Sequence, residues 1–149
     1  MNPWPNLDNE PAVQQFIDEL CDRFEIKRVP VMVRNAQLIG NCLGLMGDNK
    51  NGPIIMFNGP RLRIHAYQRA NPPVPRANWQ KTERLHTVLH EFIHHLCEQK
   101  YSTCTKRHPP LFKRIEVSLN KEYGIWFDYE GEYAKDLNTL SPSDNITGM

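Results

Sequence analysis

The stretch Thr87-Val88-Leu89-His90-Glu91-Phe92-Ile93-His94-His95-Leu96 contains H-E-x-x-H. On a helix, residues four apart lie one turn apart on the same face, so His90 and His94 can aim their imidazoles at one ion. Glu91 is rotated by about 100° from His90. From there its carboxylate can reach a water on the metal without taking a ligand position. That is the donor set for zinc-assisted hydrolysis of an amide. The neighbours Val88, Leu89, Phe92, Ile93 and Leu96 are apolar, so the helix is expected to be buried. Two histidines and a glutamate on a buried helix are costly unless something pairs with them, and a metal would do so.

Two histidines hold zinc weakly, and a catalytic site needs a third protein ligand and an open position. His108 follows His94 after a loop long enough to turn back. Glu116 lies inside the next helix and is the choice if the site is of the two-histidine, one-glutamate kind. Cys97 falls about a turn beyond the metal and reads as packing. His86, one turn before His90 on the same face, reads as a group behind the ligands or as packing. His95 points elsewhere, and His65 falls in a short edge segment.

The elements that must position these groups follow from periodicity. Residues 10–25 read as a helix, capped by Asp8 or Asn9, with Pro11 in the first turn and Val13, Phe16, Ile17, Leu20 and Phe24 on one face. Cys21 reads as core. Strands are expected at Val29–Arg34, Leu38–Met46 and Ile54–Phe57, with a turn over Asp48–Gly52. Gly40 and Gly44 suggest a bend in the second strand. Arg61–Tyr67 reads as a fourth strand or an irregular edge, and Ala70–Asn78, with three prolines, as a loop. The motif helix is expected over Trp79–Gln99, a polar loop over Lys100–His108, and a further helix over Leu111–Tyr123. Pro110 stands in the first turn of that helix and Gly124 ends it. Ile125–Tyr129 reads as a short aromatic strand or turn.

At 149 residues the chain is expected to form one domain, with its core over about 10–130 and a polar tail over 134–149. Apolar content of 40% and charged content of 23% are ordinary for a globular protein. No apolar run approaches the roughly eighteen residues of a membrane span, so no membrane partner is expected. The first residues show no basic or apolar leader, and the expected location is cytoplasmic. Cys21, Cys42, Cys97 and Cys104 form no C-x-x-C pair, which reads as reduced thiols and no zinc ribbon. The net charge of +1 hides a basic middle: residues 61–121 carry twelve Lys/Arg against four acids. Such a segment reads first as a solvated face balanced by acidic ends, and second as a surface for DNA.

The motif, the loop and then His108-Pro109-Pro110-Leu111-Phe112-Lys113 resemble the SprT-like (Spartan-type) zinc metallopeptidase domain. In that family a third histidine opens an H-G-x-x-F/W-K segment. Pro109 stands where the family has glycine, which alters how the backbone enters the next helix. The resemblance spans roughly residues 10–125 and also covers Gly44 and Ile54–Asn58 before the motif helix. It implies an α+β, zincin-like fold, with a small three- to four-stranded sheet packed on helices and the metal motif on a central buried helix. It implies one Zn2+ held by His90, His94 and His108, and action on proteins bound to DNA.

The expected chemistry is peptide hydrolysis by a metal-activated water, with Glu91 as general base and then as proton donor to the departing amine. Tyr67 or Tyr129 is a candidate donor to the oxyanion. An extended peptide is expected to add to a strand edge near Ile54–Asn58. The competing reading is a nucleic-acid-associated or protein-interaction module whose zinc site is structural or vestigial. It predicts a metal coordinated by protein alone.

Overall fold

Asn9 starts the first helix. Its backbone is extended and its side chain accepts a hydrogen bond from the Ala12 N–H at 2.9 Å, which satisfies one of the donors that a helix start leaves open. The structure is a computed structural model and describes residues 5–7, 9–34, 44–50, 52–58, 79–101 and 110–124. In it α1 spans Glu10–Arg23 and buries Val13, Phe16, Ile17, Leu20 and Cys21, the face that periodicity marks. Burial pushes the Cys21 thiol up to about 12, as befits a core residue.

α1 ends in a Schellman motif. The Ile26 N–H donates to the Cys21 carbonyl at 3.0 Å and the Glu25 N–H to the Asp22 carbonyl at 3.2 Å. Ile26 packs against the core. Glu25, at φ 58°, holds the left-handed position usually given to glycine.

Three strands follow. β1 is Val31–Arg34, β2 is Gly44–Asn49 and β3 is Gly52–Asn58, in the order β1-β3-β2. β1 runs parallel to β3, with Val31 opposite Ile55 and Val33 opposite Phe57. β2 and β3 form an antiparallel hairpin that closes on Asn49 opposite Gly52. Gly52 has φ 114°, a conformation open to glycine. β1 starts after Pro30, whose carbonyl accepts from the Ile55 N–H. Val31, Ile55 and Phe57 carry the sheet into the main apolar cluster.

Two expectations change. The second strand includes Asp48 and Asn49, which the sequence assigns to a turn, because a two-residue connection lets pairing continue to Gly52. β3 is no edge: it is paired on both sides, so an incoming peptide cannot add at Ile54–Asn58. The outer side of β1 is occupied by α1. Gln14 accepts from the Val31 N–H at 2.8 Å and donates to the Val29 carbonyl at 3.0 Å, while Glu10 accepts from the Val33 N–H at 3.0 Å. Among the described strands this leaves β2 as the outer strand beside the motif helix.

α2, Trp79–Leu96, packs on α1, α3, β2 and β3 and is the central helix of the fold. Leu89, Phe92, Ile93 and Leu96 are fully buried on it. It continues as a π-helical turn over Cys97–Tyr101, so the expected loop begins later than Lys100. Lys100 donates to the Phe24 carbonyl at 2.9 Å, at the C-terminal end of α1 where a cation is favoured. α3 spans Pro110–Glu122, with Pro110 at its start and Gly124 (φ 74°) just past its end. The architecture is therefore α+β, with a three-stranded mixed sheet and three α-helices among the described residues. None of those helices is long and apolar enough to cross a membrane. Residues 38–43, 61–67, 70–78 and 125–149 lie outside the described residues, and with them the expected fourth strand, proline loop, aromatic strand and tail.

Candidate metal centre

α2 and α3 pack against each other so that side chains spaced by four on one meet side chains spaced by four on the other. His86 meets Asn120, His90 meets Glu116 and His94 meets Phe112. Sequence numbers rise on α2 as they fall on α3, so the two helices run antiparallel and the contacts form three rungs. His86 Nδ1 lies 3.2 Å from Asn120 Oδ1. His90 Nδ1 lies 2.6 Å from Glu116 Oε2 and, the partner being a carboxylate, donates to it. The His94 ring tilts on the Phe112 ring at 4.5 Å between centroids.

His90 and His94 lie side by side on α2. Their ring centroids are 4.9 Å apart in an edge-to-face arrangement, and the His90 ring also meets Phe112 edge-on at 5.0 Å. The His90 side chain keeps 25% of its exposure while Glu116 keeps 8%, so the pair presents its imidazole outward and its carboxylate inward. A buried carboxylate demands a compensating donor, and His90 supplies it.

The electrostatics follow from this. Burial works against a charged His90 ring, but the hydrogen bond and charge of Glu116, with the charge of Glu91, outweigh it and raise its pKa above the ordinary value. Burial pushes the Glu91 carboxyl up to about 7, with His90 opposing the shift and Glu116 adding to it. His86 is held below the ordinary histidine range, chiefly by burial. His95 is also lowered by burial and lies apart from this face. Its Nε2–H donates to the Lys27 carbonyl at 2.6 Å, which ties α2 to the segment between α1 and β1.

His86, His90 and Glu116 each offer a ligand-capable atom within 4.8 Å of the others, a set that could hold a metal ion. The sequence alone puts His86 behind the ligands or in packing and offers Glu116 only as an alternative third ligand. The i, i+4 spacing of His86 and His90 is the signal that brings His86 into the group. Cys97 is buried in the apolar cluster, as read. His108, like His65, Tyr67 and Tyr129, lies outside the described residues.

The chain matches no protein-family model, no curated protein and no solved structure. The SprT-like resemblance therefore rests on the motif and the His108 segment themselves.

Proposed function

We propose that the protein is a zinc-dependent peptidase of the SprT-like kind with a zincin-like fold, holding one zinc ion through His90, His94 and His108. The observation that carries this reading is the buried α2. It sets two imidazoles side by side, and the Glu91 carboxyl, next in sequence to His90, is buried, which pushes its pKa up to about 7. The donor set suits zinc, which favours imidazole nitrogen and readily accepts a three-ligand site.

Held by His90, His94 and His108, a zinc ion would supply Lewis acidity to a water and to the scissile carbonyl. The protein does the rest. Glu91 accepts the proton of the attacking water at its carboxylate and returns it to the departing amine. Phe112 packs on both imidazoles and restricts how their rings can turn. β2, the outer described strand next to α2, is the place for an extended substrate to lie, with main-chain bonds giving affinity and little side-chain preference. The basic stretch 61–121 supports proteins bound to DNA as the substrate class.

Glu91→Gln keeps the shape and removes the base. Zinc content is expected to stay at one per chain while cleavage of an unfolded protein substrate falls by at least about 100-fold. Full activity in that variant would sink the reading. Running the assay with and without single-stranded DNA tests the substrate class.

The grouping of His86, His90 and Glu116 favours one second reading, a structural ion enclosed by protein ligands alone. In that case the wild-type chain binds metal and cleaves nothing, and His86→Ala releases the ion.

A further inference from the structure

We propose that Glu116 is a positioning residue for His90, fixing which nitrogen of that imidazole faces the metal, and is not itself a ligand. The proposal rests on the zinc reading above and assigns a role within that site.

The first argument is distance. Two atoms bound to one zinc ion sit about 3.3 Å apart, given ligand bonds of roughly 2.0–2.2 Å and a tetrahedral angle. His90 Nδ1 and Glu116 Oε2 are 2.6 Å apart. That separation belongs to a charge-assisted hydrogen bond with a proton between the atoms.

The second argument is the tautomer. A proton held on Nδ1 by a carboxylate leaves the lone pair of the neutral ring on Nε2, and a metal can bind only there. Glu116 and the ion then lie on opposite sides of the ring. A carboxylate behind a ligating imidazole fixes its orientation and raises its basicity.

The third argument is the way α3 backs α2. Glu116 occupies the middle rung, between Asn120 behind His86 and Phe112 against His94. Its backbone is fixed by a helix whose Ile115 and Leu119 are fully buried. The carboxylate thus has a rigid support, which a positioning group needs. The same geometry leaves the third ligand position to a residue other than Glu116.

The test has two arms. In the metal-free protein with 15N-labelled histidine at about pH 9, long-range 1H–15N correlation is expected to show His90 as the Nδ1–H tautomer, and Glu116→Ala to shift it towards Nε2–H. An unchanged tautomer overturns the proposal. In the second arm, chelator competition is expected to show Glu116→Gln binding one zinc ion about 10- to 100-fold more weakly than wild type. X-ray absorption of that variant at saturation should show the wild-type set of nitrogen and oxygen ligands. Loss of an oxygen ligand, or of stoichiometric binding, would make Glu116 a ligand and overturn the proposal. So would unchanged affinity. Glu116→Asp, one methylene too short to reach Nδ1, serves both arms if the other variants fail to fold. A wild-type chain that binds no zinc refutes the peptidase reading instead, and the tautomer arm then decides the hold of Glu116 on His90 by itself.

Discussion

Glu25 closes α1 with a positive φ of 58°, a conformation that costs a residue with a Cβ about 1 kcal/mol or more. Its side chain is exposed, and the capping bonds run through the backbone. Glu25→Gly relieves the strain and keeps both bonds. It is expected to raise unfolding stability by about 0.5–1 kcal/mol, read as a higher urea midpoint at unchanged slope. A lower midpoint would show that the glutamate side chain contributes more than the strain it bears. The neighbouring cap illustrates what single residues announce. Asn9, Pro11 and Gly124 mark helix ends by chemistry that acts within one turn, and all three stand where local reasoning puts them. Glu25 gives no such signal, because its conformation is imposed by Ile26 reaching the core.

At the scale of elements, α1 and α3 are joined near their C-terminal ends by a two-pronged ion pair. Arg23 donates to Glu122 at 2.8 and 2.6 Å, with both side chains roughly seven-tenths buried. The bond to Glu122 raises the Arg23 pKa further. A double-mutant cycle of Arg23→Ala and Glu122→Ala is expected to give a coupling of about 0.5–1 kcal/mol, weakening with salt. Zero coupling would mean the pair forms without stabilising the helix contact. The three rungs between α2 and α3 show where sequence reasoning stops. His86, His90 and His94 are spaced by four, and so are Phe112, Glu116 and Asn120, and both series are visible in the sequence. Which member meets which depends on how two helices dock, a contact between positions far apart in the chain. The sheet behaves alike. Its apolar segments were legible as strands, but β3 is central only because β1 joins it in parallel from the far side.

For the molecule as a whole, α2 serves two ends, since the helix that carries the motif is also the middle of the core. If zinc binds the folded chain alone, free metal at 100 times its dissociation constant stabilises by about 2.7 kcal/mol. For a chain of this size, chelation is then expected to lower the melting temperature by about 5–10 °C, and added zinc to restore it. A melting temperature indifferent to chelator would remove the metal from the account of the native state. The three helices and the burial of α2 were legible because each depends on periodicity along one stretch, while the central place of α2 was expected only from the family resemblance. The meeting of Glu116 with His90 was not legible, because it depends on a hydrogen bond spanning 26 positions.

Gln14 and Glu10 have one more effect. By engaging the amides of Val31 and Val33 they deny the flank of β1 a run of donors that a foreign chain could extend. Two copies of this protein meeting along that side find no ladder to zip into. Any growth of the sheet, whether productive docking or aggregation, is steered away from α1.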